Sequence, residues 1–459
     1  MMKPPMHVAK AKDVEALGFP LTAEADQPAH ALQRLSRLKE SMRSVMVMLE
    51  TCTKCGKCAD QCHSYLGTQD YYNFPAARAE LMRRVYKRYF TLQGKLFGRF
   101  AGAEDFDGAT LTKWLTYFYQ CNECRRCSLF CPFGIDTAEI TIAARHILSE
   151  LGIMPKFMQG IAVNMEKTGN NMGLPAPAII DNAEFMEDEI LEETGLAIRI
   201  PIDKPNSDVL YIPSSADFFT NVDTMIGAAK LFYHLGLNWT ISTSILEAAN
   251  FGLLFNLDVM KEHNHRLIDV ARKLGAKLVI QGECGHGWRA AKMYTQGANG
   301  PVDFEIRHIL DFAAEHIDRL PLKKLPLRAT LHDPCNYGRA GDLIEQPRRI
   351  LRAVVTDFVE MTPNREENFC CGGGSGLLME EMKEIRMQLG KKKAEQVMAI
   401  GNLDYLVIPC SICKAQLPAV MEYYGAADLK MGGLMDLVGK ALVLAPQSRD
   451  KVNEMEETQ

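Results

Sequence analysis

The sequence predicts an α + α/β protein, with a helical N-terminal domain followed by a pseudo-symmetric, two-half α/β region. Three observations carry that expectation. Two four-cysteine runs lie among helical patterns before residue 155. Beyond Pro205, short β-rich runs alternate with helical segments, which argues for parallel strands. Within that second region three sequence blocks recur in the same order, so it is expected to be built twice.

Taken in order, Met1–Pro28 is rich in Pro and Ala and predicts an extended N-terminal arm (1–28). Helical patterning runs from Ala29 to about Glu50, directly before the first cysteine run. A helix over Pro75–Phe90 carries Arg78, Arg83, Arg84, Lys87 and Arg88, either as a solvated face or as a docking surface for an acidic partner. Asp136 is the expected N-cap of an amphipathic helix reaching Leu151. These elements make a helical domain over 29–155. Prolines and the acidic stretch Glu184–Glu193 mark 156–206 as a connector. Strands are expected at Val209–Pro213, Lys277–Gln281, Arg328–His332 and Tyr405–Pro409.

The repeat aligns Val209–Ser214 with Thr330–Cys335, Phe251–Leu254 with Ser375–Leu378, and Leu278–Cys284 with Asp404–Cys410. It divides the region into halves at 207–325 and 326–445, followed by a tail at 446–459. The second half carries five cysteines. At the corresponding places of the first half stand Ser214, Leu246, Glu247 and Gly287, and only Cys284 survives. The first half therefore reads as a degenerate copy.

With 459 residues the chain has room for two or three domains. A net charge of −5 gives no reason to expect a nucleic-acid partner. No apolar run reaches the ~18 residues a membrane helix needs, and Met1–Pro28 lacks the apolar core of a secretory signal. A cytoplasmic protein follows, with membrane association only through partners. In a reducing compartment, 14 cysteines argue for metal binding over disulfides. The 24 methionines read mostly as core fillers.

Cys52-x₂-Cys55-x₂-Cys58-x₃-Cys62 and Cys121-x₂-Cys124-x₂-Cys127-x₃-Cys131 are ferredoxin-type runs. In such runs three cysteines wrap one cluster and the fourth reaches the other. The expected cubane [4Fe–4S] ligand sets are therefore Cys52, Cys55, Cys58 and Cys131, and Cys121, Cys124, Cys127 and Cys62. Structural zinc is the competing use of such spacing; a four-cysteine run in one short loop, present twice, weighs against it. The 58 residues between the runs exceed what a small ferredoxin needs, and His63 stands where proline is usual after Cys62. The third group is Cys335, the pair Cys370-Cys371, Cys410 and Cys413. Adjacent cysteines cannot comfortably hold one tetrahedral ion but can bridge different irons of a larger cluster. Gly372, Gly373 and Gly374 let the backbone approach such a core.

The pattern Cys335…Cys370-Cys371-Gly372…Cys410-x₂-Cys413 resembles the CCG motif of heterodisulfide reductase catalytic subunits. From about Glu50 to Gly439 the layout is similar to the DsrK family, whose members carry one complete and one degenerate copy. The resemblance implies an oxidoreductase with two cubane clusters and one noncubane [4Fe–4S] cluster, the latter on Cys335, Cys370, Cys371, Cys410 and Cys413. It implies electron exchange with a membrane cytochrome b (DsrM-like) and other DsrMKJOP subunits on the cytoplasmic face of the inner membrane. The implied substrate is a disulfide or trisulfide of a DsrC-like carrier protein in dissimilatory sulfur metabolism.

The alternatives are an electron-transfer subunit of a flavin-dependent 2-hydroxy acid or glycerol-3-phosphate dehydrogenase, and a scaffold whose five-cysteine site is structural. Cys284, in Glu283-Cys284-Gly285-His286-Gly287 at a strand end, is either a buried relic or a thiol facing the cluster. His286 is either a proton donor to the departing thiolate or a structural loop histidine. His332, Asp333, Tyr337 and Arg339 flank Cys335 and are expected to shape its surroundings. Arg339 and Lys414 could instead contact a substrate carboxylate or simply serve the surface or core.

Overall fold

Residues 4–446, apart from residue 249, are described by a computed structural model; all but the first residue of the expected tail lies outside them. The N-terminal arm docks along the helical domain, burying Met6, Ala9 and Val14. The Ala9 N–H donates to Met154 O at 2.9 Å. The first expected helix is two, Gln27–Ser41 and Arg43–Thr51, broken at Met42 (φ −118°, ψ 60°). Asp136 caps Thr137–Glu150 by accepting from the Ala138 N–H at 2.9 Å.

The helix Pro75–Phe90 forms with its stated bounds, but two of its five basic residues face inward. Arg78 and Arg83 are buried. Arg78 donates to Tyr117 O at 2.9 Å and to Asn73 Oδ1 at 2.7 Å. Arg83 serves Leu49 O and Glu80, while Arg84 pairs with Glu104 and Arg88 with Asp105. The solvated-face reading therefore holds for the partly exposed Arg84, Lys87 and Arg88 but not for Arg78 and Arg83. Its guanidinium groups satisfy carbonyls freed where neighbouring helices end, a demand that a linear charge pattern does not display.

Residues 156–206 hold two packed helices, Lys156–Thr168 and Ala176–Thr194, where the sequence suggested a connector. Ile179, Ala183, Met186 and Ile190 lie in one core with Val209 and Tyr211 of the first sheet. The acidic side chains line only the outer face of the second helix, so the patch concealed a one-in-four apolar stripe.

The α/β region contains two four-stranded, all-parallel sheets. The first has order β2-β1-β3-β4: β1 is Val209–Ile212, β2 Trp239–Thr240, β3 Leu278–Gln281 and β4 Glu305–His308. The second has order β6-β5-β7-β8: β5 is Leu325–Leu331, β6 Val355–Val359, β7 Tyr405–Val407 and β8 Lys430–Gly432. The four expected strands are the central pairs, and the four without a sequence signal are edges. Central parallel strands are apolar on both faces. Edge segments such as Glu305–His308 and Lys430–Gly432 are polar and half-exposed.

Both sheets share a core joining Tyr211, Phe232 and Leu331 with Tyr405 and Leu437. Helices Val222–His234 and Leu434–Ala441 cross where Gly227 meets Gly439; a Cβ on Gly439 would lie 2.7 Å from Gly227 Cα. One register detail departs from the block alignment. β1 pairs Ile212 with Gln281 and runs straight into Pro213, whereas β5 pairs Leu331 with Val407 and interposes His332 and Asp333 before Pro334. The C-terminal ends of β1, β3, β5 and β7 present Ser214, Cys284, Cys335 and Cys410, the edge where α/β sheets place ligands.

Candidate functional site

The two four-cysteine loops share an unusual backbone. Lys54 (φ 58°) and Gly56 (φ 83°) flank Cys55, and Glu123 (φ 50°) and Arg125 (φ 59°) flank Cys124. The second cysteine of each run thus sits between two left-handed residues, a conformation that turns successive peptides around a common centre. Cys52, Cys55, Cys58 and Cys131 line one cavity together with Cys127. Cys62 lies instead among Cys121, Cys124 and Cys127. The fourth cysteine of each run therefore crosses to the other group. The first group reaches the surface at Cys55, while the second is deeper.

Arg145 holds the inner group in place and is wholly buried. It donates to Phe118 O (2.8 Å), Cys121 O (2.9 Å), Leu254 O (3.1 Å) and Ser375 O (3.0 Å), and it pairs with Glu123 at 2.9 Å. One side chain thus ties a cysteine loop to a segment from each half of the α/β region. Sequence reasoning missed it, because an arginine in an amphipathic helix normally signals solvent.

All five cysteines of the third group are brought together and buried. Cys371 Sγ lies 3.2 Å from Cys413 Sγ. Cys370 is within hydrogen-bonding range of Cys335, Cys371 and Cys124, and Cys410 of Cys413. The loop between them closes only with glycine. A Cβ on Gly372 would stand 2.7 Å from Gly390 N, and one on Gly373 would stand 2.6 Å from Gln416 Cβ. The Gly285 N–H donates to Cys410 Sγ at 3.4 Å and the Gly372 N–H to Cys370 Sγ at 3.5 Å. His332 Nε2 approaches Cys413 Sγ to 3.3 Å. Thirteen sulfurs in three tight, disulfide-free groups, the innermost with peptide N–H donors aimed at them, form a soft donor set that fits iron–sulfur clusters.

The inner four-cysteine group and the five-cysteine group touch. His63, Cys124 and Cys370 offer ligand atoms all within 4.8 Å of one another. His63 Nε2 meets Asn122 Oδ1 at 2.8 Å, and Asn122 Nδ2 donates to Gly374 O at 3.0 Å. Arg126 donates to Glu367 O and Gln61 O across the same seam.

Cys284 lies beside the five cysteines, next to Cys410, and its Sγ accepts from the Gly287 N–H at 3.4 Å. Burial pushes its thiol well up, so it stays protonated. His286 is buried against the glycine loop, where a Cβ on Gly374 would meet its Cε1 at 2.9 Å. Burial, reinforced by Arg289, depresses its pKa to about 3, and its Nε2 has no hydrogen-bond partner among the described residues. The imidazole is neutral at physiological pH.

Arg339 serves Cys124 O, Glu366 O and Asn368 O. Lys414 is buried on Asp217 (2.6 Å), Glu283 (3.3 Å) and Thr224 (2.8 Å). Lys414 therefore spends its charge on the protein's own carboxylates, whereas Arg339 binds three backbone carbonyls that tie the cysteine loops together. Tyr337 donates to or accepts from His308 Nε2 at 2.8 Å in the core between the halves.

Glu247, aligned with Cys371, is fully buried and accepts from the Ser215 N–H at 2.7 Å. Burial raises its pKa to about 7. A carboxyl whose folded pKa lies above its unfolded value stabilises the fold at low pH and loses that contribution as pH rises from about 4.5 to 7. The rise corresponds to about 3 kcal/mol. Glu247→Gln keeps the acceptor and removes the charge. It is expected to exceed the wild type in stability only modestly at pH 5.5 and by most of that amount at pH 8, as anaerobic denaturation at the two pH values will record.

Comparison with known proteins places these features. A 4Fe-4S dicluster domain model matches residues 48–135 and a cysteine-rich domain model, CCG, matches residues 329–418. The Hdr-like menaquinol oxidoreductase iron-sulfur subunit of Archaeoglobus profundus is 36% identical over 88% of this chain and 81% of its own. The second iron-sulfur subunit of the corresponding oxidoreductase of Archaeoglobus fulgidus is 35% identical over 90% of this chain and 83% of its own. One polypeptide of the dihydromethanophenazine:CoB–CoM heterodisulfide reductase of Methanosarcina barkeri is 24% identical over 88% of this chain and 97% of its own.

Proposed function

The chain belongs to the family of Hdr-like menaquinol oxidoreductase iron–sulfur subunits, and from that premise we propose that it makes or breaks a sulfur–sulfur bond at its five-cysteine site. The single observation that carries this reading is the contact of Cys124 with Cys370, which joins an electron-carrying group to a buried five-thiol group. Electrons would enter or leave at the exposed Cys55 side and traverse the two four-cysteine groups one at a time. The balanced reaction is R–S–S–R′ + 2e⁻ + 2H⁺ → RSH + R′SH.

Cys52, Cys55, Cys58 and Cys131 would hold one cubane cluster, Cys62, Cys121, Cys124 and Cys127 the other, and Cys335, Cys370, Cys371, Cys410 and Cys413 a noncubane cluster. When bound, these groups supply one-electron storage and an iron able to accept a thiolate. The protein residues do the rest. The N–H groups of Gly285 and Gly372 stabilise thiolate charge on Cys410 and Cys370. His332 orients Cys413, and burial of all five sulfurs keeps water out. Cys284 and the neutral His286 pack directly beside this shell, and in this reading they shape it and can relay a proton without carrying charge.

The common strand order of the two sheets supports a pseudo-symmetric pair with one active and one degenerate half. No helix among the described residues is long and apolar enough to cross a membrane. Quinone-linked electron exchange is therefore assigned to a cytochrome b (DsrM-like) partner within a DsrMKJOP-type complex at the cytoplasmic face. The substrate is assigned to a DsrC-like carrier protein in disulfide or trisulfide form. The Hdr-like relatives favour this reading over a relay for a flavin-dependent dehydrogenase.

The test is iron analysis and EPR of the anaerobically purified, oxidised chain, with and without the dithiol form of the carrier. About 12 irons per chain, from three four-iron clusters, and a paramagnetic signal that appears with thiol are expected. Spectra indifferent to thiol would make the chain a relay and overturn the proposal.

A further inference from the structure

Lys393 sits in the helix Lys383–Met398 and is completely buried. Its Nζ donates to Asn368 Oδ1 and Gln396 Oε1 and lies 3.6 Å from Met361 Sδ, all of them neutral groups. Among the described residues it forms no ion pair. The carboxylate it senses, Asp333, is occupied by a bidentate pair with Arg348 at 2.8 Å to each oxygen and by the Arg365 N–H at 2.7 Å. The other charges facing it are the sulfurs of Cys370, Cys371 and Cys413, with His332 on the same side.

Burying an ammonium on neutral acceptors alone is costly, because two hydrogen bonds do not replace its hydration. Lys414 shows the ordinary solution, since it spends its charge on Asp217 and Glu283. Beyond Asp333, which is already paired with Arg348, Lys393 has the sulfur site to balance it. Its acceptors are also fixed relative to that site. Asn368 lies two residues before Cys370 and donates to Asp333 O, while Gln396 donates to Pro363 O. Burial depresses the Lys393 pKa to about 7 even though Asp333 and the sulfurs of Cys370, Cys371 and Cys413 act to raise it.

We propose that Lys393 is the built-in counter-charge of the five-cysteine site, a positioning residue that favours the more reduced, more negative state of the group held there. The inference rests on reading that site as the third iron–sulfur centre. It acts as a fixed cation and touches neither substrate nor reacting sulfur.

The test uses the full chain, purified anaerobically with its clusters, in redox titrations followed by EPR. Lys393→Met and Lys393→Gln are expected to shift the oxidised-to-reduced equilibrium of the third centre at least tenfold toward oxidised. That corresponds to a midpoint about 59 mV more negative for a one-electron step. The two four-cysteine centres should be unmoved, and Lys393→Arg, which keeps the charge, should retain the wild-type midpoint. The glutamine variant retains hydrogen bonding to Asn368 and Gln396, so it separates charge from structure and stands in if the methionine variant does not fold. An unchanged third midpoint in Lys393→Gln, with about 12 irons still bound, overturns the role of Lys393 alone. About 8 irons in the wild type overturns both the role and the reading beneath it.

Discussion

Cys371→Ala is expected to lower the iron content from about 12 to about 8 per chain and to reduce sulfur–sulfur chemistry to background. Among the described residues Cys371 is the cysteine of the pair that meets Cys413, at 3.2 Å, with His332 the other side chain of ligating type beside them. Both four-cysteine groups are expected to stay reducible, since neither uses Cys371. The thiol-dependent EPR signal should vanish along with the activity. Retention of about 12 irons with an unchanged signal would show that the five-cysteine group does not hold the third centre. Cys370→Ala is the informative partner. Cys370 also touches Cys124, so its loss should slow reduction across the seam as well as removing iron.

The second large effect is expected at Arg145. Arg145→Met leaves Glu123 with only the longer Arg289 contact at 3.4 Å and strips donors from the carbonyls of Phe118, Cys121, Leu254 and Ser375. Removing one member of a buried ion pair costs roughly 3–5 kcal/mol. Because the freed groups belong to the Cys121 loop and to both α/β halves, the loss should appear as a lower melting temperature and as faster loss of iron from the inner four-cysteine centre. Arg145→Lys should recover little, as one ammonium cannot span the planar fork of contacts. A variant with wild-type melting and iron retention would sink the assignment of Arg145 as the tie between domains.

How much of this was legible in the chain differs element by element. The helix Pro75–Phe90, the cap at Asp136 and the four central strands followed from local pattern, because periodicity and capping act within a few residues. Edge strands β2, β4, β6 and β8 left no signal, since segments of two to five residues, all but β2 partly exposed, carry no apolar run. The helix Ala176–Thr194 hid behind its acidic face, and Arg78, Arg83 and Arg145 hid behind the assumption that charge means water.

The sequence by itself determined the chemistry on offer: thirteen cysteines in spacings that suit four-iron clusters, a glycine loop after the adjacent pair, and an α/β region whose strands alternate with helices. Ligand spacing is local, so it survives in one dimension. Only the tertiary structure decided which groups meet. It brought Cys124 against Cys370, committed Lys414 to Asp217 and Glu283, and left Lys393 facing sulfur without an ion pair among the described residues. Those outcomes depend on desolvation and on partners hundreds of residues apart, and burial is what turns an ordinary lysine or glutamate into a charge that must be balanced.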